Sequence, residues 1–151
     1  MSVTESMTRL QAQREALVEA ALEHVPFDGW TKQALKAGAE DLDLASGEVD
    51  RLLPGGIRQA IKTYVELTDR KMVAALDEMG LENLKIRERI AAAVKTRLDL
   101  VEGQKDTVRA ALAFLALPQN ATLGLKLTHG TVDKMWVAAG DTSTDHNWYT
   151  K

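Results

Sequence analysis

Apolar residues recur at intervals of three and four along most of the chain, and this periodicity constrains the fold more than any other feature. In the first segment they fall at Met7, Leu10, Leu17, Ala21 and Leu22. This spacing places apolar side chains on one face of an amphipathic α-helix. Alanine and leucine supply much of the apolar content, and glycine and proline are sparse, at 10 and 3 residues. The sequence therefore predicts an all-α fold.

Breaks in the periodicity divide the chain into seven predicted helices and the start of an eighth. Proline restricts the residue before it and cannot continue a helix, and glycine often follows the last turn. Pro26, Gly80 and Pro118 mark three such ends, and Ser46 is the predicted N-cap of the third helix. The predicted helices cover residues 4–24, 30–41, 46–53, 57–79, 83–101, 104–117 and 123–139, and the eighth begins at 145.

The composition is that of one globular domain. At 151 residues the chain is long enough to bury a core. It has no cysteine, which excludes disulfides, thiolate metal sites and cysteine nucleophiles. No window approaches the length of apolar sequence that spans a bilayer. The glutamates near the start argue against a targeting peptide, and Met1 without a tag predicts a natural N-terminus.

Two short predicted helices joined by a turn, between residues 30 and 53, form a helix-turn-helix pattern. In an all-helical chain of this length, the pattern resembles the TetR-type regulators. We therefore divide the chain into a helix-turn-helix-like part, 1–56, and a C-terminal helical part, 57–151, within a single compact unit. A TetR-like transcriptional regulator is one candidate function.

The charge distribution argues against that candidate. Residues 1–56 carry five basic and ten acidic side chains, whereas residues 57–151 carry fourteen and twelve. Affinity for DNA depends largely on cations that neutralise phosphates. Along the second short helix and its approach, only Arg51 opposes a run of carboxylates, which are Glu40, Asp41, Asp43, Glu48 and Asp50. We therefore expect no binding to nucleic acid.

No sequence pattern indicates catalysis. Hydrolase, nucleotide-binding and zinc-protease motifs are absent, and no histidine lies three residues after a glutamate, which excludes a ferritin-type di-iron site. His129 fits a surface position better than a ligand contact. Asp141 and Asp145 fit helix capping better than a pair of carboxylates for acid–base catalysis. Arg97 is either an ion-pair partner or a snorkelling side chain. We expect no catalytic residue, metal site or cofactor.

The C-terminal third carries the most distinctive residues. The predicted helix 104–117 is apolar on nearly every face, which predicts burial in a core or the lining of an apolar cavity. Gly124 and Gly130 lie inside the next helix and fit a place where another backbone or a ligand comes close. Trp136, Trp148 and Tyr149 cluster near the end of a chain that is only 5% aromatic. Such a cluster indicates a contact surface.

Four sequence runs resemble the Coq-nine family of accessory proteins in ubiquinone (coenzyme Q) biosynthesis. They are VPFDGWT at 25–31, LALPQN at 115–120, VDKMW at 132–136 and AGDTSTDHNWYTK at 139–151. The resemblance implies a TetR-like all-helical fold, with a C-terminal region for lipid binding and dimerisation, and a homodimer. It further implies a non-catalytic function, in which an apolar pocket binds an isoprenoid lipid or quinone intermediate. The protein would present that intermediate to the di-iron demethoxyubiquinone hydroxylase.

The resemblance also implies two groups of site residues. Carried over by position, the hydroxylase-binding surface falls on Met135, Asp145, Trp148 and Tyr149. Trp148 would alternatively pack against helices that follow in the family. For the lipid pocket we choose apolar residues near the C-terminal end: Leu112, Leu115, Leu123, Leu127, Val132 and Trp136.

The family continues for two or more helices past the WYT run, so the resemblance implies a sequence that is C-terminally truncated relative to the family. The last family helix is amphipathic, which makes a membrane surface a partner of the full-length protein. We expect a cytoplasmic protein, peripheral to the inner membrane of a bacterium, whereas the family is mitochondrial in eukaryotes.

Overall fold

A computed structural model describes residues 2–140 of the chain, which form eight α-helices. The helices are α1 Val3–Leu22, α2 Val25–Asp28, α3 Lys32–Asp41, α4 Glu48–Leu52, α5 Gly56–Met79, α6 Ile86–Leu100, α7 Lys105–Leu115 and α8 Ala121–Ala138. Short 3₁₀ turns at Glu102–Gln104 and Pro118–Asn120 precede α7 and α8. Residues 2–140 contain no strand. The all-α prediction is confirmed, and the helices are consistent with a TetR-like fold.

Side-chain caps set the beginnings of two N-terminal helices. The hydroxyl of Ser2 accepts from a first-turn amide of α1 at 3.1 Å, and that of Thr31 accepts from a first-turn amide of α3 at 3.2 Å. Each bond satisfies an amide that lacks a partner within the helix. The predicted cap at Ser46 is wrong. Gly47 occupies the N-cap position of α4, with no side-chain hydrogen bond.

The helices α1 and α3 cross at Gly38, where they are too close for a side chain. A Cβ atom placed at Gly38 would lie 2.7 Å from the backbone nitrogen of Ala21. This crossing belongs to the first of two cores, which joins α1, α3 and α4 to α5 and α7. Its larger members include Leu17, Trp30, Leu35, Leu52, Ile61 and Tyr64. The first core therefore spans the boundary between residues 1–56 and 57–151.

A second core lies between α5, α6 and α8, around Met72 and Leu76. Next to it, the carboxylate of Asp69 on α5 is 1% exposed. It accepts from Arg97 Nε of α6 at 2.9 Å and from the Thr131 hydroxyl of α8 at 2.8 Å. Arg97 is thus an ion-pair partner, which resolves the two alternatives left by the sequence. Asp69 ties three helices together.

The structure differs from the sequence prediction at α2 and selects between two alternatives at α7. Residues 25–28 lie between the predicted helices 4–24 and 30–41 but form α2, and Pro26 stands in its first turn, where its missing amide costs no hydrogen bond. The helix α7 was predicted to be buried or to line a cavity; most of it is not buried, and residues of α7 line a cavity, which agrees with the second alternative. Only Thr107 and Ala111 of α7 are buried, because this helix packs one face on the first core and leaves Leu112 61% exposed.

Candidate functional site

An apolar groove of about 500 Å³ lies between the end of α6 and the beginning of α7. We call it the α6–α7 groove. Aliphatic side chains form its floor, namely Leu98, Val101, Val108 and Leu112. Charged side chains form its rim, namely Asp99, Glu102, Lys105 and Arg109. The combination suits a ligand that is mostly apolar with a polar end, and the volume lies within the range of about 300–1,000 Å³ typical of small-molecule sites.

The connection between the two helices creates the groove. Val101 ends α6, the 3₁₀ turn Glu102–Gln104 reverses the chain, and α7 begins at once at Lys105. The turn leaves two leucines facing solvent, with Leu98 62% and Leu112 61% exposed. Burying a leucine side chain is worth about 1.5–3 kcal/mol. A pair of exposed leucines beside a cavity therefore favours an apolar ligand.

One charged rim residue on each side of the groove lies in an ion pair. On the α6 side, Lys95 donates to Asp99 Oδ2 at 2.8 Å, and this hydrogen bond raises the pKa of Lys95. On the α7 side, Arg109 lies 3.8 Å from Asp106, and both side chains are mostly exposed. These exposed pairs contribute little to stability. They leave the rim polar and open to solvent while the floor is apolar.

The predicted lipid-binding residues of α7 lie on different sides of that helix. Leu112 lines the groove. Leu115 is half-buried and packs against the first core. A Cβ atom at Gly124 of α8 would lie 3.3 Å from the Leu115 carbonyl oxygen, so the predicted close approach at this glycine is confirmed. At Gly130 no other backbone of residues 2–140 comes close, because none of their atoms lies within 4 Å of a Cβ atom placed there.

The predicted lipid-binding residues of α8 also divide between the interior and the surface. Leu127 is buried and Leu123 is half-buried. Val132 and Trp136 are exposed, together with Leu125, which is 73% exposed. These three residues recur at intervals that place them on one face of α8. None of the predicted α8 residues lines the α6–α7 groove, so the six choices do not form one cavity.

Sequence reasoning missed most of the groove. Leu98 and Val101 belong to the apolar stripe of α6, and neither they nor Val108 were chosen as pocket residues. The signal that points to them is the short connection at Glu102–Gln104, since two amphipathic helices that reverse over three residues place the ends of their apolar stripes side by side.

Comparison with known proteins identifies the family. The family model described as COQ9 matches residues 121–151. The human protein named ubiquinone biosynthesis protein COQ9, mitochondrial, is 35% identical over 142 residues, which are 89% of this chain and 44% of that protein. The chain belongs to the COQ9 family.

Two further relatives support the assignment. Ubiquinone biosynthesis protein COQ9-A, mitochondrial, of Xenopus laevis is 31% identical over 159 residues, covering 97% of this chain and 47% of that protein. The Drosophila melanogaster protein of the COQ9 name is 31% identical over 147 residues, covering 95% of this chain and 45% of that protein. The chain thus spans about half the length of the curated COQ9 relatives it matches.

Three of the four residues predicted to bind the hydroxylase lie beyond the described part of the chain. Met135 of α8 is half-buried and packs against the second core, with its neighbour Ala138. Asp145, Trp148 and Tyr149 lie outside residues 2–140, as do the predicted capping residue Asp141 and the predicted eighth helix.

A second cavity, of about 620 Å³, lies between α5 and α8 of this COQ9 family member. We call it the α5–α8 cavity. Most of its lining is charged: Glu66, Arg70, Asp77, Asp133 and Lys134 line it with Val73, Val137 and Ala138. Burial of an apolar ligand here would desolvate these charges, which is unfavourable. The α6–α7 groove therefore suits an apolar ligand better.

Two basic side chains of the helix-turn-helix-like part, one on α3 and one on α4, lie close to carboxylates. On α4, Arg51 lies 2.7 Å from Glu48, and Lys32 of α3 lies 3.5 Å from Asp50. These contacts reduce the positive charge available for phosphates. The transcriptional-regulator alternative is not favoured in this COQ9 family member.

Within residues 2–140, no helix carries an apolar stretch long enough to cross a membrane. In the same part of the chain, no group of three or more histidine, aspartate or glutamate side chains could hold a metal ion.

Proposed function

We propose that this chain is a non-catalytic, isoprenoid-lipid-binding part of an accessory protein in ubiquinone biosynthesis. The α6–α7 groove holds the isoprenoid tail of a quinone intermediate. The protein then presents the head group to the di-iron demethoxyubiquinone hydroxylase. The observation that carries the proposal is the apolar floor of the groove, in a COQ9 family member whose relatives are named for ubiquinone biosynthesis.

An isoprenoid tail matches the chemistry of this floor. Each methylene group that leaves water for an apolar environment contributes about 0.8 kcal/mol, before the cost of ordering the ligand. The same event would cover Leu98 and Leu112, which are largely exposed. Affinity of this origin requires no acid, base or nucleophile, which supports a role without catalysis.

The proposed partners of the protein are the hydroxylase, a second copy and a membrane. The hydroxylase contacts Met135, Asp145, Trp148 and Tyr149. The exposed apolar face of α8, with Val132 and Trp136, supports a homodimer. The remainder of the full-length protein contacts the bilayer, so the protein lies peripherally at the cytoplasmic face of the inner membrane.

Lipid extraction followed by mass spectrometry tests the groove. We expect isoprenoid lipid to co-purify with the unaltered protein and to be largely lost in Leu112→Gln. The matched control is Leu117→Gln, because Leu117 follows the same helix, is also exposed and does not line the groove. Equal lipid content in both variants would contradict binding in the groove, and lipid-free unaltered protein would contradict the function.

Capture of the purified hydroxylase tests the partner surface. We expect Trp148→Lys to weaken capture while helicity and lipid content stay unchanged, because aromatic anchors commonly dominate interfaces. Unchanged capture would remove Trp148 from the surface and favour its packing against later helices of the full-length protein.

A further inference from the structure

The helix α7 forms one wall of the α6–α7 groove, and the opposite side of α7 packs against the first core. Thr107 and Ala111 are buried on the core side of α7. Lys105, Arg109 and Leu112 line the groove on the other side. Residues at these intervals lie on opposite sides of a helix. The position of the groove wall therefore depends on whatever fixes the buried side of α7.

Tyr64 of α5 fixes the residue just before α7. Its hydroxyl donates to Gln104 Oε1 at 2.7 Å, and Gln104 occupies the N-cap position of α7. Burial raises the pKa of Tyr64 to about 12. The hydroxyl therefore remains protonated and able to donate at neutral pH.

Trp30, which belongs to the helix-turn-helix-like part, fixes the first turn of α7. Its indole N–H donates to the backbone oxygen of Thr107 at 3.1 Å, in a buried hydrogen bond. The Trp30 ring also contacts the Tyr64 ring, with centroids 5.5 Å apart and planes at 48°. The two aromatic side chains thus hold Gln104 and Thr107, which stand on either side of Lys105 in the sequence.

We infer that Trp30 and Tyr64 are positioning residues for the α6–α7 groove, since one hydrogen bond from each sets where α7 stands relative to α6. The helix-turn-helix-like part then supports a lipid-binding groove instead of reading DNA. The inference rests on the proposed function, because it assigns a role in lipid binding to two residues that do not line the groove.

The first test removes a single hydroxyl. Tyr64→Phe keeps the ring beside Trp30 and deletes the bond to Gln104. The probe is cis-parinaric acid, a fluorescent polyene fatty acid, with geranylgeraniol as competitor. We expect the dissociation constant of the probe to rise about fivefold, the size expected for the loss of one intramolecular hydrogen bond. The double variant Tyr64→Phe/Gln104→Leu should bind no more weakly than Tyr64→Phe alone.

A matched control separates positioning from a general loss of stability. Thr68→Val also removes a buried hydroxyl of α5, which donates to the Tyr64 carbonyl within the same helix at 2.9 Å. We expect Thr68→Val to leave the dissociation constant unchanged. In hydrogen exchange, amides of residues 101–112 should exchange faster in Tyr64→Phe than in the unaltered protein, and amides of α1 should keep their rates.

Two results would overturn the inference: an unchanged dissociation constant in Tyr64→Phe, or equal weakening in Tyr64→Phe and Thr68→Val. Failure of the unaltered protein to bind the probe would instead contradict the proposed function. In that case hydrogen exchange still tests whether Tyr64 anchors α7. Equal exchange of residues 101–112 in the two proteins would overturn it, and faster exchange in Tyr64→Phe would support it.

Discussion

Replacement of Asp69 by alanine should loosen the contact of α5 with α6 and α8. The carboxylate is 1% exposed, and Arg97, 18% exposed, would lose its partner. Removing one member of a buried ion pair costs about 3–5 kcal/mol, because the other charge stays desolvated. Lys134 adds little, since its nitrogen lies 3.7 Å away and its side chain is 42% exposed. We expect a loss of about 3 kcal/mol, near the lower limit because Arg97 retains some solvent.

Thermal unfolding followed by circular dichroism measures this loss. For a chain of this size, about 3 kcal/mol lowers the unfolding midpoint by roughly 10 °C. The control is Asp99→Ala, which breaks the exposed pair with Lys95 and should cost less than about 0.5 kcal/mol. The double variant Asp69→Leu/Arg97→Met should recover most of the loss, because apolar side chains of similar size replace a buried pair at little cost.

The reasoning would be refuted if Asp69→Ala stayed within about 1 kcal/mol of the unaltered protein, because a buried carboxylate with this set of partners would then contribute no more than an ordinary hydrogen bond. It would also be refuted if the double variant were less stable than Asp69→Ala.

Four further substitutions have expected outcomes in urea unfolding. Gly38→Ala should lower the free energy of unfolding by about 1–3 kcal/mol, because the added methyl group meets the α1 backbone. The control Gly130→Ala should be neutral or stabilising. Equal effects of the two substitutions would exclude a close crossing of α1 and α3. Thr31→Ala should cost about 1 kcal/mol through loss of the α3 N-cap, and no loss would remove that cap. The hydrogen bond that the His24 ring donates to the Asp41 carboxylate raises the pKa of His24 above its ordinary 6.5, so the pair stabilises the fold below pH 6.5. The stability difference from His24→Asn should therefore disappear as pH rises through the raised pKa, and a pH-independent difference would contradict this.

Helix positions can be predicted from this sequence because they depend on local information. The spacing of apolar residues and the prolines and glycines place most helix boundaries within a few residues of those observed, and α5 ends at Met79 with Gly80 as its C-cap, as predicted. The prediction of an N-cap at Ser46 is wrong because its neighbour Gly47 occupies that position, and an N-cap is defined by backbone geometry that a residue type does not determine.

Burial and pairing could not be predicted, because they depend on which helices meet. The partner of Arg97 is Asp69, 28 residues away on another helix. The sequence of α7 is apolar on most faces, yet only the face that meets the first core is buried. The same uncertainty about helix packing explains why Leu112 was the one predicted lipid-binding residue that lines the groove.

Photo-crosslinking with a benzophenone-bearing isoprenoid alcohol, followed by peptide mapping, tests the central claim most directly. If the α6–α7 groove binds the isoprenoid tail, the label should fall within residues 98–112, and geranylgeraniol should suppress it. Label concentrated on residues of the α5–α8 cavity, such as Val73 and Val137, or spread evenly over the protein, would contradict the claim.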